Sequence, residues 1–227
     1  MKLFKYFTKN ELLLWFISAS IIIITFIFFD QTNYLTLAAS LIGVTSLIFN
    51  AKGNPFGQLL MIIFSLLYGV ISYSFSYYGE MITYLGMTAP MALFALVSWL
   101  KNPYKGKKSE VKVNNIKKID ILFMIISSLI ITIIFYFILK YFNTPSLLIS
   151  TLSITTSFVA AYLTYKRSPF FALAYACNDI VLIILWIIAT ITNITYISIT
   201  TCFIIFFFND IYGYINWKRL QRKQSNQ

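Results

Sequence analysis

Eight segments of this chain are apolar over about the length that an α-helix needs to cross a membrane, which is roughly twenty residues. Backbone N–H and C=O groups find no water in the hydrocarbon core, so only helices and closed barrels can span it. Because the chain is 59% apolar and only 11% charged, its composition excludes an ordinary water-soluble domain. We therefore predict an all-α integral membrane protein with eight transmembrane helices. The predicted spans are Leu12–Phe29, Leu35–Phe49, Phe56–Tyr77, Met81–Leu100, Ile121–Leu139, Leu147–Tyr165, Phe170–Ala189 and Ile194–Ile215.

The basic residues sort almost completely to one side of this eight-span arrangement. Of the 18 Lys and Arg residues, all but Lys140 fall before the first span, in the second, fourth or sixth connection, or after the last span. Because Lys and Arg accumulate in cytoplasmic loops, both termini are predicted to be cytoplasmic. The net charge of +11 then reflects orientation and contact with the anionic headgroups of the lipid bilayer. Nucleic acid is not expected as a partner.

The order of landmarks in the two halves of the chain favours an internal repeat. A lysine-rich stretch, Lys101–Asp120, separates the halves. In each half a basic turn that ends in proline precedes one helix, and a tryptophan lies at the end of the next helix. The proline and the tryptophan are 44 residues apart in the first half and 48 in the second. Two parallel three-helix units are therefore predicted, a transporter plan in which substrate binds between the units near the midplane. A multi-span protein without repeats is the alternative. The predicted parts of this single transporter domain are an additional N-terminal helix (1–33), the first three-helix unit (34–100), the basic linker and connecting helix (101–145), the second three-helix unit (146–217) and a cytoplasmic tail (218–227).

Asp179 lies near the middle of the predicted seventh span, next to Asn178. An ionised carboxylate at that depth costs about 2.5 to 3.5 kcal/mol on insertion scales, so it should face a cavity, a partner or a ligand. No Lys or Arg lies at a matching depth in the sequence to pair with it. We predict that both residues belong to a binding site. The alternative is a neutral carboxyl that is hydrogen-bonded to a neighbouring helix.

Other polar and aromatic residues in the spans are weaker candidates. Asn209 lies within the apolar stretch of the eighth span and is predicted to contribute to the site. Asp210 and Trp217 lie closer to the headgroups and could merely anchor the membrane interface, which is the predicted role of Trp217. Glu80, before the fourth span, is predicted to be solvated, with a role in a gate as the alternative. Tyr68 in the third span could stack on a flat heterocycle, although most aromatic residues must serve packing.

Several enzyme classes are disfavoured by what the sequence lacks. It has no histidine, only seven acidic residues and no Gly-rich phosphate loop, so a metal site or an acid–base constellation is not expected. Cys177 and Cys202 lie in apolar runs and are not expected to form a disulfide. We predict a chain without cofactor or metal that is not an enzyme. A membrane-embedded enzyme and a membrane protein with a purely binding or structural role are the alternatives.

Four short segments resemble the PnuC family of bacterial vitamin transporters, which is typified by uptake of nicotinamide riboside. The last of them, Asn209–Lys218, reads NDIYGYINWK and is the most specific. The others are Tyr77–Met81, Ala89–Met91 and Ser98–Tyr104. The resemblance implies the fold of the SWEET sugar transporters, with three plus one plus three helices behind an additional N-terminal helix. It also implies a homotrimer in the bacterial cytoplasmic membrane and downhill uptake, with substrate trapped by intracellular phosphorylation.

The resemblance also implies which residues hold the substrate. Riboside carriers of this family typically have two tryptophans before an asparagine in the seventh span, where this chain has Phe171 and Ala174 before Asn178. Nicotinamide riboside is the predicted substrate, and a deoxynucleoside, thiamine or riboflavin is the alternative. We expect alternating access, with proton coupling through Asp179 as a variant. Asn178 and Asn209 would bind the amide or ribose, Asp179 would face the pyridinium or the ribose hydroxyls, and Tyr68 would stack on the ring, with Tyr175 and Phe171 nearby.

Overall fold

The computed structural model describes residues 6–74 and 77–226. Within these ranges eight helices are long and apolar enough to cross a membrane, which confirms the predicted all-α class and the number of spans. Lys2 and Lys5, which contribute to the predicted charge asymmetry, lie outside the described residues. The helices are α1 (Lys9–Phe29), α2 (Tyr34–Ala51), α3 (Phe56–Ser74), α4 (Tyr78–Lys101), α5 (Lys118–Tyr141), α6 (Leu147–Tyr165), α7 (Phe171–Thr192) and α8 (Ile197–Ser225).

Helices α1 and α5 begin in the same way, with an acidic third residue that reaches back to the backbone before the helix. The Thr8 N–H donates to Oε2 of Glu11 at 2.7 Å, and the Lys117 N–H donates to Oδ2 of Asp120 at 3.2 Å. Each carboxylate satisfies an N–H that would otherwise lack a helical partner and lies at the positive end of the helix dipole. Both helix starts are therefore fixed locally.

The turn between α2 and α3 has a counterpart between α6 and α7. The two turns read Lys-Gly-Asn-Pro-Phe and Lys-Arg-Ser-Pro-Phe, and their second residues, Gly53 and Arg167, have positive φ values of 67° and 57°. Lys52 pairs with Glu11 at 3.0 Å, and Lys166 pairs with Asp120 at 2.8 Å. The hydrogen bond to Asp120 raises the pKa of Lys166 above its ordinary value. Each turn is thus tied to the helix that precedes its own unit.

Part of the predicted basic linker folds into a β-hairpin, which the sequence did not predict. Strands β1 (Pro103–Tyr104) and β2 (Lys107–Val111) pair in antiparallel fashion. The segment then crosses the end of the helical bundle, where the Val111 N–H donates to the Gly53 carbonyl at 2.9 Å and the Asn114 N–H donates to the Arg167 carbonyl at 3.0 Å. We call this the hairpin end of the molecule, since both equivalent turns lie against the segment there.

Helix α4 is interrupted near its middle by a π-helical turn, Tyr84–Thr88. The Ala89 N–H donates to the Tyr84 carbonyl, five residues back, where a regular α-helix would use four. Pro90 follows and has no N–H to donate, so the regular ladder is already broken at this position. Such π-turns are frequent at functional sites, and this one carries Tyr84 and Thr88.

Two tryptophans join the predicted three-helix units at the hairpin end. Trp99 at the end of α4 donates to the Thr164 carbonyl at 2.9 Å, and Trp217 in α8 donates to the Asn50 carbonyl at 2.7 Å. Their ring centroids are 5.3 Å apart and both side chains are fully buried. The predicted role of Trp217 as an interface anchor is therefore wrong. Helix α8 continues to Ser225 rather than ending at the predicted Ile215, which leaves Trp217 inside the bundle.

Candidate functional site

A small cavity lies between six helices, three from each of the predicted units: α2, α3 and α4, and α6, α7 and α8. Its volume of about 30 Å³ is enough for about two water molecules. Any larger ligand would require the surrounding side chains to move. The lining residues are Leu47, Met61, Phe64, Tyr84, Thr88, Ser157, Tyr175, Asn178, Asp179, Leu182, Phe203, Phe206 and Asp210.

Two carboxyl groups face each other in this cavity. Asp179 on α7 is 3% exposed and Asp210 on α8 is 5% exposed, and their carboxyls lie within hydrogen-bonding reach of one another. Oδ2 of Asp179 has no hydrogen-bond partner in the described part of the chain. No Lys or Arg is among the described residues that line the cavity. The cavity therefore presents acidic groups without a basic partner.

The position of Asp210 decides between two roles that the sequence left open. An anchor at the membrane interface was one of them, but Asp210 is buried and lines the cavity beside Asp179. Helix α8 ends at Ser225, so Asp210 lies about four helical turns before that end. The sequence changes from apolar to polar after Ile215, but the helix does not end there. The polar residues that follow continue it to Ser225.

Asn178 is held by two hydroxyl groups from the neighbouring helix α6. Thr156 and Ser157 donate to Oδ1 of Asn178 at 2.8 and 2.9 Å. These donors use the carbonyl oxygen of the amide and so define its orientation. The NH₂ group is then the part of the Asn178 side chain that is free to bind a ligand in the cavity. Ser157 was not among the predicted site residues.

The other predicted site residues divide between the cavity and its surroundings. Tyr175 lines the cavity. Tyr68 lies behind the lining residue Tyr84, with ring centroids 4.4 Å apart. Phe171 packs against Trp217 at 4.8 Å, towards the hairpin end. Asn209 points away from the cavity and donates to Oγ of Ser18 on α1 at 3.0 Å. The structure thus places Asn178, Asp179 and Tyr175 together in the lining and places Tyr68, Phe171 and Asn209 outside it.

Aromatic side chains separate the cavity from the end of the bundle opposite the hairpin. Beyond Tyr84 and Tyr68, the Trp186 ring lies 5.0 Å from Tyr77 and 5.7 Å from Tyr196, both of which belong to connections at that end. Glu80 is 1% exposed beside this group, so its predicted solvated position is wrong. At the other end, Trp99, Phe171 and Trp217 pack together. Aromatic side chains therefore lie between the cavity and both ends of the bundle.

A larger cavity of about 310 Å³ lies outside this group of helices, between α1 and α2. Its lining is apolar apart from Glu11 and Thr45, and both of these already have partners. Glu11 pairs with Lys52 and accepts from Tyr212, while Thr45 accepts from Trp15. With its polar atoms engaged, this cavity suits an acyl chain better than a polar ligand. The smaller, acidic cavity is the better candidate site.

Signals in the sequence could have identified some of the missed lining residues. Asp210 repeats the Asn-Asp pair of Asn178 and Asp179 on the following helix, and this repetition favours a shared site. Pro90 lies just after Tyr84 and Thr88, where a break in α4 is expected. Ser157 has no such signal, since serine and threonine are common throughout α6.

Comparisons with known proteins agree with this architecture. Residues 33–219 match the family model described as nicotinamide mononucleotide transporter, which covers α2 to α7 and most of α8. A curated relative, the nicotinamide riboside transporter PnuC of Neisseria mucosa (strain ATCC 25996 / DSM 4631 / NCTC 10774 / M26), is 25% identical over 203 residues, which are 88% of this chain and 77% of the relative.

A solved structure described as the crystal structure of the vitamin B3 transporter PnuC has the same fold. It superposes with a TM-score of 0.83 at 24% identity, over 96% of this chain and 94% of that chain. The matched region contains every residue of the acidic cavity. With the family model covering most of its length, this chain belongs to the nicotinamide mononucleotide transporter family.

Proposed function

We propose that this membrane transporter takes up nicotinamide riboside and binds it in the acidic cavity between the two three-helix units. The observation that carries the proposal is the pair Asp179 and Asp210, which lines the cavity without a Lys or Arg among the other described lining residues. Buried carboxylates favour a cationic ligand, because a positive charge offsets the cost of removing them from water. The pyridinium of nicotinamide riboside supplies that charge, and the PnuC relative is named for the same substrate.

The charge of the cavity also favours nicotinamide riboside over nicotinamide mononucleotide, the compound in the family's description. The mononucleotide carries an added phosphate, which proteins bind with Arg, Lys or the N–H groups at helix N-termini. The described cavity residues provide two carboxyls and no basic side chain, and they lie within their helices rather than at helix starts. A phosphate there would be repelled, so the riboside is the better ligand.

We assign the lining residues separate roles in holding the riboside. The NH₂ group of Asn178 donates to the carboxamide oxygen or to a ribose hydroxyl, while Asp179 and Asp210 face the pyridinium and the ribose. The faces of Tyr84 and Tyr175 supply aromatic surfaces for the charged ring. Tyr68 supports Tyr84 from behind. Asn209 and Phe171 act outside the cavity, where they position α8.

Alternating access by movement of the two units is the proposed mechanism. Three features support two equivalent units: the six helices that line the cavity, the matching turns at Gly53 and Arg167, and the reciprocal hydrogen bonds of Trp99 and Trp217. The matching starts of α1 and α5 extend this equivalence to the helix that precedes each unit. Each unit would move together with its preceding helix, because the Lys52 and Lys166 ion pairs join them.

The orientation in the membrane follows from the charges at the hairpin end. Lys52, Lys166 and the lysine-rich hairpin lie at that end of the bundle, and Lys and Arg favour the cytoplasmic side. We place the hairpin end and both termini in the cytoplasm of a bacterial cell. Uptake then runs down the substrate gradient, and intracellular phosphorylation traps the product. The family resemblance supports a homotrimer, which the mass of the purified complex would test.

Thiamine is the second candidate substrate. It also carries a positive charge, so the acidic pair fits it equally, and Phe171 and Ala174 stand where riboside carriers typically have tryptophans. Neutral deoxynucleosides and riboflavin bring no positive charge to offset the acidic pair. Selectivity between the two cations depends on shape and on the hydrogen bonds of Asn178.

Uptake by proteoliposomes tests the proposal. Labelled nicotinamide riboside should equilibrate into vesicles that contain only this protein, and unlabelled riboside should compete, whereas the mononucleotide, thymidine and riboflavin should not. Asp179→Asn should weaken competition at least tenfold, while Glu110→Gln, in the hairpin and outside the cavity, should leave it unchanged. Uptake of the mononucleotide in preference to the riboside, or an unaltered Asp179→Asn variant, would contradict the proposal.

A further inference from the structure

The acidic pair has a charge that must be balanced when no substrate is bound. Asp179 and Asp210 lie on neighbouring helices, both are more than nine-tenths buried, and their carboxyls are within hydrogen-bonding reach of each other. Oδ2 of Asp179 lacks a hydrogen-bond partner in the described residues, and the residue belongs to the cavity lining. The pair is therefore built to receive something that the protein itself does not supply.

Among the described residues, no group beside the pair provides a positive charge. The titratable groups that interact with the pair are Tyr84 on α4, Tyr175 and Cys177 on α7, and Cys202 on α8. Phenols and thiols are neutral when protonated, so none of them offsets a carboxylate. Two carboxylates in contact within a buried site repel each other, and sharing one proton removes that repulsion.

We propose that the Asp179–Asp210 pair holds one proton in the empty transporter and releases it to water when a cationic substrate binds. This inference rests on the proposed function, because it needs a cation that enters the same cavity. The proton leaves the shared position between the two oxygens, both carboxyls become ionised, and the substrate's positive charge takes the place of the proton. The net charge of the cavity and its contents is thus the same when the pair holds the proton as when it holds the cationic substrate.

The exchange makes substrate affinity depend on pH in a defined direction. Binding that releases one proton becomes about tenfold tighter for each unit of rising pH, as long as the empty pair remains singly protonated. A falling pH favours the protonated empty site and weakens binding. A neutral ligand in the same cavity releases no proton, and its affinity does not change with pH.

Calorimetry on the purified protein counts the released protons directly. Nicotinamide riboside is titrated at one pH in two buffers of different ionisation enthalpy, and the difference in observed heat gives the number of protons passed to the buffer. We expect about one proton per riboside bound, and thiamine should behave alike if it binds. Measurable riboside binding with no dependence on the buffer would overturn the inference and leave the proposed function standing.

Variants locate the source of the proton. Asp210→Asn and Asp179→Asn each leave a single carboxylate, so release should fall to near zero and the pH dependence of the dissociation constant should flatten. Glu110→Gln removes an acidic group in the hairpin, outside the cavity, and should retain full release. Full release from both cavity variants would assign the proton elsewhere and refute the proposal. Complete absence of riboside binding to the unaltered protein would instead refute the proposed substrate.

Discussion

At the scale of single residues, the cavity depends on hydrogen bonds that restrict how its polar groups can turn. Asn178 offers its NH₂ group because Thr156 and Ser157 use its oxygen. Asp179 and Asp210 face each other in the cavity, and Oδ2 of Asp179 has no hydrogen-bond partner among the described residues. A hydrogen-bond donor and an acidic pair are thus presented to the same small space, and this combination suits a cation that also carries an amide and hydroxyls.

Removing the two hydroxyls that hold Asn178 should weaken substrate binding, although the Asn178 side chain itself is retained. In a Thr156→Ala, Ser157→Ala double variant the amide loses both donors and is free to rotate. We expect nicotinamide riboside affinity to fall about tenfold, a loss of about 1.4 kcal/mol, because the rotating amide no longer holds its NH₂ group towards the ligand. Binding calorimetry measures the change. Thr151→Ala on the same helix, which loses only a bond to the Leu147 carbonyl, should bind like the unaltered protein.

At the scale of helices, close packing between α2 and α3 sets the shape of the first unit. Gly57 near the start of α3 lies directly against Asn50, and a Cβ at this position would meet the Asn50 backbone nitrogen at 2.7 Å. The Ser46 hydroxyl donates to the Gly57 carbonyl at 2.8 Å, and Asn50 accepts from Gln58 at 2.8 Å. These contacts also hold the Asn50 carbonyl that Trp217 uses to join the two units.

The close approach of α2 and α3 predicts an unequal response to two glycine substitutions. Gly57→Ala should destabilise the protein by about 1 to 3 kcal/mol, because backbone rather than a flexible side chain must move. Gly86→Ala, where the nearest atom would be 4.0 Å away, should be tolerated. Thermal unfolding in detergent compares the two variants. Equal unfolding temperatures for both would show that the helices do not approach this closely.

At the scale of the whole molecule, the linker and the C-terminal helix tie both units together at the hairpin end. Val111 and Asn114 bond to the two equivalent turns, and Gln224 near the end of α8 bonds to the backbone of Val111 and Val113. Opening the cavity towards this end would require these bonds and those of Trp99 and Trp217 to change. The tightly tied end is also the end that we propose to be cytoplasmic.

Labelling of single cysteines tests the orientation. With Cys177 and Cys202 replaced by serine, a cysteine at position 140 should react with an impermeant maleimide added outside intact cells. A cysteine at position 107, in the hairpin, should react only after the membrane is permeabilised, because the hairpin end is proposed to be cytoplasmic. The reverse pattern of labelling would contradict the assigned orientation.

The sequence predicted the parts of the molecule that follow from hydrophobicity and charge, and it missed those that depend on contacts between distant segments. Span length and lysine placement defined the eight helices, and the cost of burying Asp179 marked it as a residue that faces a cavity or partner. Trp217 was assigned to the interface, and the role of Asp210 was left open, because both lie near the predicted headgroup end of the eighth span, yet contacts with α7 and α2 bury them. The hairpin was missed because its strands are short and lysine-rich, without an alternating apolar pattern.

The central claim is that the acidic cavity between the two units binds the riboside. A structure of the protein determined with nicotinamide riboside tests it most directly. The account predicts the pyridinium ring beside Asp179 and Asp210, with the NH₂ group of Asn178 bonded to the ligand and the surrounding aromatic rings moved apart to make room. Ligand density in the apolar cavity between α1 and α2, with the acidic pair still in mutual contact, would contradict it.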